Sequence, residues 1–157
     1  MKKTFGSIII AMLLLIVLAS TTLAAGEREL ELKGSLEASE TQQVIPPTAF
    51  IDLTGTGTAT SLGLFTYKLQ AELNLPTLSA TASATLTAAD GSMLFLEGTG
   101  QGTLTDVPGV ASIVETFTIT GGTGRFAGAT GNVTVERLIN RATLISSGTI
   151  HGTIVLP

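Results

Sequence analysis

The 157-residue chain contains no cysteine and a single histidine. The first absence excludes a disulfide framework, lipid attachment through a thiol and a thiolate metal site, so the fold must rest on burial and backbone hydrogen bonding. The second leaves zinc chemistry short of ligands. His151 alternates with Thr149 and Thr153 on a polar face, whereas a Ser-His-Asp arrangement needs a buried, oriented imidazole. Basic residues are scarce too: 8 Lys and Arg stand against 12 Asp and Glu, a formal charge of -4 that becomes -6 when Lys2 and Lys3 are removed. Such a chain repels phosphate backbones and has no basic stripe with interleaved aromatics, so no nucleic-acid partner is expected.

Long apolar runs are limited to Ile8 to Ala19, which follows Lys2 and Lys3 and precedes the small residues Thr22-Leu23-Ala24-Ala25. These are the three parts of a secretory signal, with cleavage expected after Ala24 or Ala25. A run of about a dozen residues is shorter than the roughly 20 that a spanning helix needs, so membrane contact is expected only if this segment stays uncleaved. The expected address is the periplasm or the medium. The division read from the sequence is residues 1–25 as signal peptide, 26–48 as an N-terminal strand and polar linker, and 49–157 as a β-barrel domain. Roughly 130 residues suffice for one domain that buries about two thirds of its unfolded surface. Asn132-Val133-Thr134 matches a glycosylation sequon, idle in a chain whose short Lys-Lys leader looks bacterial.

What the chain has in abundance is period-two alternation, interrupted by Gly, Pro, Asn and Asp turns. Leu30, Leu32 and Leu36 alternate with charged and small polar residues in a first strand held loosely at the mature N-terminus. A polar linker, Ser39 to Thr48, contains Pro46-Pro47, which cannot lie in a central strand. Further strands follow: Ile51 to Thr60, Phe65 to Leu75, Leu78 to Ala88, Met93 to Thr105, Val110 to Thr120, one beginning at Asn132, and Ala142 to Leu156. The facing of Met93 to Thr105 is ambiguous, because Met93, Leu94, Phe95 and Leu96 are all apolar. About eight strands with one apolar and one threonine-rich face must bury the apolar face. The class is all-β. A closed eight-stranded antiparallel barrel does this without edges, and a β-sandwich is the alternative. Glycines at 55, 57, 98, 100, 102, 148 and 152 fit sharp coiling at barrel corners. A threonine-faced solenoid would need a constant repeat length, which is missing.

Gly121-Gly122-Thr123-Gly124-Arg125-Phe126-Ala127-Gly128-Ala129-Thr130-Gly131 joins two alternating strands. Physically this is a structural hairpin: Gly121, Gly122, Gly124, Gly128 and Gly131 allow positive φ and close approach, Phe126 tucks beneath the turn, and Arg125 reaches solvent or a neighbouring carboxylate. Its GxG spacing joins strand to strand, so the helix N-terminus of a phosphate loop is missing. The segment resembles the corresponding hairpin of dirigent proteins and allene oxide cyclases, and Gly55-Thr-Gly-Thr-Ala-Thr-Ser-Leu-Gly-Leu-Phe65 looks like a signature of bacterial secreted relatives. The resemblance implies an eight-stranded barrel with a hydrophobic cavity, no cofactor and a homotrimeric assembly. The plant enzymes' pocket residues do not map onto matching motifs, and this chain is poorer in the tyrosines, asparagines and aspartates such pockets use.

Two residues are candidates for chemistry. Glu115 falls on an apolar face with Ala111, Ile113, Phe117 and Ile119. In a regular strand it points into the barrel, where a desolvated carboxylate can act as acid, base or polar anchor; a bulge would turn it outward, and a rim position would leave it solvated. Tyr67, the only tyrosine, either presents its hydroxyl to a cavity or is a core ring whose hydroxyl reaches the rim. Asp52, Arg125, Arg137 and Arg141 read as solvated charges. The expected function is binding of a small hydrophobic molecule, or a structural envelope role, without metal or cofactor. The alternative is an isomerase or cyclase, or a dirigent-like protein, shaping a lipid-like or phenolic substrate, with Glu115 and Tyr67 as its polar groups.

Overall fold

The computed structural model describes residues 26–157; the expected signal peptide, residues 1–25, lies outside the described residues. The architecture is an up-and-down meander of eight strands: β1 (Arg28–Ile45), β2 (Thr48–Ala59), β3 (Gly63–Asn74), β4 (Ser79–Ala88), β5 (Met93–Leu104), β6 (Val110–Gly122), β7 (Thr130–Asn140) and β8 (Ile145–Leu156). Each strand pairs antiparallel with its chain neighbours, and β1 also pairs with β8 from Arg28↔Leu156 to Ser39↔Ile145, sealing the barrel. That closure sets the sandwich aside.

The N-terminal part of the chain departs from the sequence reading. The segment expected to be a loose strand and a linker is one strand of 18 residues, and it belongs to the barrel rather than preceding it. Its ladder with β2 continues through Ile45↔Thr48, and only Pro46-Pro47, joined by a cis peptide bond, forms the turn. Polar composition hid the strand, because its outer face is solvated and its inner row runs on through Leu36, Ala38 and Glu40, all buried. The last strand begins at Ile145, not Ala142: Leu144 has φ 57 and sits in the preceding turn. In β5 the facing is settled by burial, with Leu94 and Leu96 inside and Phe95 out; the ladder to β6 shifts register between Phe95 and Leu96. Sharp coiling explains the strand glycines. At Gly98 a Cβ would collide with the Thr116 carbonyl of β6, so the close approach of these strands requires hydrogen there.

In such a meander the turns after odd strands share one end of the barrel and those after even strands the other. The two ends differ. At the even end the glycine-rich hairpin folds into a short 3-10 turn, Gly124–Phe126, and plugs the barrel: Phe126 is fully buried, with Leu62 and Ala129 beside it. Gly124 takes φ 59, a conformation that favours glycine. Arg125 ties three hairpins together, pairing with Asp90 at 3.1 Å and donating to the Ser61 and Leu62 carbonyls, each at 3.1 Å, while its guanidinium stacks 4.8 Å from the Phe126 ring. Asp90 accepts from the Ser92 amide at 3.0 Å, and this bond, with Arg125 adding to it, lowers its carboxyl below the usual range.

Side-chain size falls toward the other end. Phe65, Tyr67, Leu86, Leu94 and Phe117 fill the plugged half. In the remaining half the inward rows of β4 and β5 shrink to Ala82, Ala80, Gly100 and Gly102, which leaves the barrel unfilled there.

Candidate functional site

The unfilled half is a cavity of about 250 Å³ that opens at the odd end, between the turns holding Leu75, Leu78 and Leu144. Its walls are aliphatic, among them Ile51, Leu69, Ala82, Ile113 and Ile139. Three charged side chains meet inside it. Glu115 from β6, Arg137 from β7 and Glu40 from β1 are 4%, 4% and 7% exposed. Each occupies an inward position of a regular strand, so backbone alternation alone delivers them to the interior.

Arg137 joins the set. Its Nη2 and Nε donate to the two Glu115 carboxylate oxygens at 2.9 and 3.3 Å, and its Nη1 donates to Glu40 Oε2 at 3.1 Å and to Ser146 Oγ at 3.2 Å. Gln42 donates to the other Glu40 oxygen at 2.7 Å. Buried charges persist only when paired and hydrogen-bonded, and every buried side-chain polar atom among the described residues has a partner. Burial works against the Arg137 charge, but Glu115 first, then Glu40, more than offset it, so the guanidinium is held more firmly protonated than usual. Gly100 faces Glu115 across the ladder, where a Cβ would come within 3.3 Å of Glu115 Cγ; the missing side chain gives the carboxylate its room.

Tyr67 lies beneath this cluster, fully buried, and donates from its hydroxyl to Glu115 Oε2 at 3.4 Å. It does not line the cavity. Burial, then the Glu115 charge, raises its phenol well above 10.0. Because it is the only tyrosine, absorbance of the phenolate near 295 nm reports it alone. The native state holds this proton more tightly than the unfolded chain, so stability should fall as pH rises past about 10. The expected result is no phenolate signal until the barrel unfolds in alkali; gradual titration near 10 with native circular dichroism would contradict the placement.

Of the residues singled out in the sequence, Glu115 and Tyr67 are therefore neighbours inside the barrel, whereas His151 is exposed on the outer face. The hairpin residues Gly121 to Gly131 sit at the plugged end, remote from the cavity mouth. Two expectations are corrected. Arg137 is not a solvated charge but the centre of the buried cluster, because its row, Val133, Val135, Arg137, Ile139, faces inward. Glu40 was assigned to a linker and is instead its second carboxylate. Asp52 and Arg125 are exposed as expected; Arg141 is exposed at the cavity rim. Among the described residues no three His, Cys, Asp or Glu side chains converge as a metal-ligand set.

The molecule is a closed antiparallel meander, plugged at one end and opening into an apolar cavity at the other. Its fold is dirigent-like: it is similar to the solved structures of two pterocarpan synthase dirigent proteins, GePTS1 and PsPTS1. The first is 14% identical with a TM-score of 0.60, the match covering 83% of this chain and 86% of that one. The second is 14% identical with a TM-score of 0.56, covering 81% and 94%. No protein-family model and no curated protein sequence matches the chain.

Proposed function

We propose that this protein is exported after signal-peptide cleavage and binds a small, largely apolar molecule in the open half of its barrel. The observation that carries the reading is the 250 Å³ cavity with aliphatic walls and a buried polar floor. A purely structural barrel gains stability by filling its interior, since voids forfeit packing, yet alanines and glycines line this half. For scale, a dry cavity of about 150 Å³ accepts benzene, so this one suits a ligand somewhat larger. Ala82→Leu should fill the space, leaving the fold intact or slightly more stable while lowering affinity for a fluorescent apolar probe at least tenfold. Native mass spectrometry of the purified protein provides the parallel test, by a co-purifying ligand absent from the variant. Equal probe binding by both proteins would remove the reading.

A second reading is favoured by the Tyr67–Glu115 contact at the cavity floor. A carboxylate backed by a phenol and oriented by a guanidinium is placed to move a proton on a bound substrate, as in an isomerase or cyclase acting on a lipid-like or phenolic molecule. Likeness to dirigent proteins, and the sequence resemblance to allene oxide cyclases, support considering it. Only Glu115 of the two faces the cavity, so Glu115→Gln should abolish turnover while Tyr67→Phe only reduces it. Turnover unchanged in Glu115→Gln would take the proton transfer away from Glu115, and no turnover by the unsubstituted protein would eliminate the enzymatic reading and leave binding intact.

A further inference from the structure

The floor of the cavity carries an imbalance of charge and of hydrogen-bonding capacity. Glu40 and Glu115 are two carboxylates sharing one guanidinium, a formal charge of -1 at the inner end of an aliphatic pocket. Arg137 is nearly saturated: four of its N–H groups are committed to Glu115, Glu40 and Ser146, of the five that a guanidinium owns. The carboxylates are not. A carboxylate offers about four acceptor sites; Glu40 receives one bond on each oxygen, from Gln42 and Arg137. What the floor has left to give a ligand is chiefly acceptors; beside them stand one Arg137 N–H and the second amide N–H of Gln42. The remaining charged group on the cavity wall is Arg141, exposed at the rim, where solvent screens it.

We propose that the cavity selects amphiphiles with a cationic polar end, an alkyl- or arylalkyl-ammonium, over anions of the fatty-acid type. The proposal rests on the binding reading above and deepens it. An ammonium head placed on the floor brings three donors and no acceptor to spare acceptor sites, and its charge opposes the net charge of the cluster at the lower effective dielectric of the interior. A carboxylate head in the same position finds its natural partner already committed and meets repulsion; the one cation it can reach is Arg141, at the mouth. A hydroxyl head, a neutral donor, falls between the two.

The test uses three probes of equal chain length, octylamine, 1-octanol and octanoate, titrated calorimetrically into the processed protein at pH 7. Octylamine should bind at least tenfold more tightly than octanoate, with octanol intermediate. Glu40→Gln, which brings the formal charge of the floor to zero, should shrink the amine preference to threefold or less while leaving octanol affinity nearly unchanged. The series on the unsubstituted protein decides the matter even where that variant does not fold. Equal affinities for all three probes would overturn the proposal and leave a non-selective apolar pocket. Tightest binding of octanoate, lost in Arg141→Gln, would overturn it in favour of an anion held at the rim. Failure of octanol as well as the charged probes to bind would overturn the binding reading itself, and this proposal with it.

Discussion

Arg137→Ala should cost the barrel about 3–5 kcal/mol, the range for removing one partner of a buried ion pair. Among the described residues the guanidinium is the only cation facing Glu115 and Glu40 inside the barrel; without it two carboxylates remain on the interior with Tyr67 and Gln42 as their other donors. Water entering from the open mouth hydrates them in part, which places the loss toward the lower half of that range. In a domain of this size the midpoint of thermal unfolding should fall on the order of 10 °C. Urea denaturation checks the magnitude, and a triple variant checks the cause. Arg137→Met combined with Glu40→Gln and Glu115→Gln removes every charge of the set and should regain much of the loss, since uncompensated buried charge, rather than absence of the pair, is the main penalty. A single-variant loss below about 1 kcal/mol, the value typical of exposed pairs, would mean that the cluster is solvated.

Phe126→Ala is the second large effect, about 3–5 kcal/mol for truncating a fully buried aromatic ring. The ring closes the plugged end, and it also carries the stacked Arg125 guanidinium, so its loss loosens the clamp that Arg125 makes across three hairpins. Thr123→Ala in the same turn removes one hydroxyl bond to the Met93 amide and should cost no more than about 1 kcal/mol. The contrast separates the plug from the turn around it. Because the two ends are distinct, probe binding at the open end should persist in Phe126→Ala below its lowered unfolding temperature.

Much of this barrel is legible before any coordinates. Odd-even alternation in Phe65 to Leu75 identifies the inward row of β3, and the same rule in β6 puts Glu115 inside. The size gradient that makes the cavity is legible too, since Ala80, Ala82, Gly100 and Gly102 sit in inward rows whose other halves hold Leu86, Leu94 and Leu96. The cluster is not. Glu40 and Arg137 interrupt apolar rows, and an interrupted row reads as a strand end or a solvated face. Their partnership spans 97 positions, so no local pattern joins them; only closure of β1 onto β8, which is itself paired with β7, brings the two charges within reach of one another. The linker assignment failed for a related reason. All five residues from Ser39 to Gln43 are polar, and composition speaks for solvent exposure even where the backbone is laddered to β2 throughout.

Xenon binding in a crystal of residues 26–157 is the most direct measurement of the central claim, because xenon settles against apolar walls in a cavity and does not enter filled cores. Pressurised crystals should show a xenon atom in the open half of the barrel, against Leu69, Ala82 and Ile113, and none in the half filled by Phe65, Phe117 and Phe126. Crystals in which that half is packed by side chains, with no xenon in the barrel, would contradict the account.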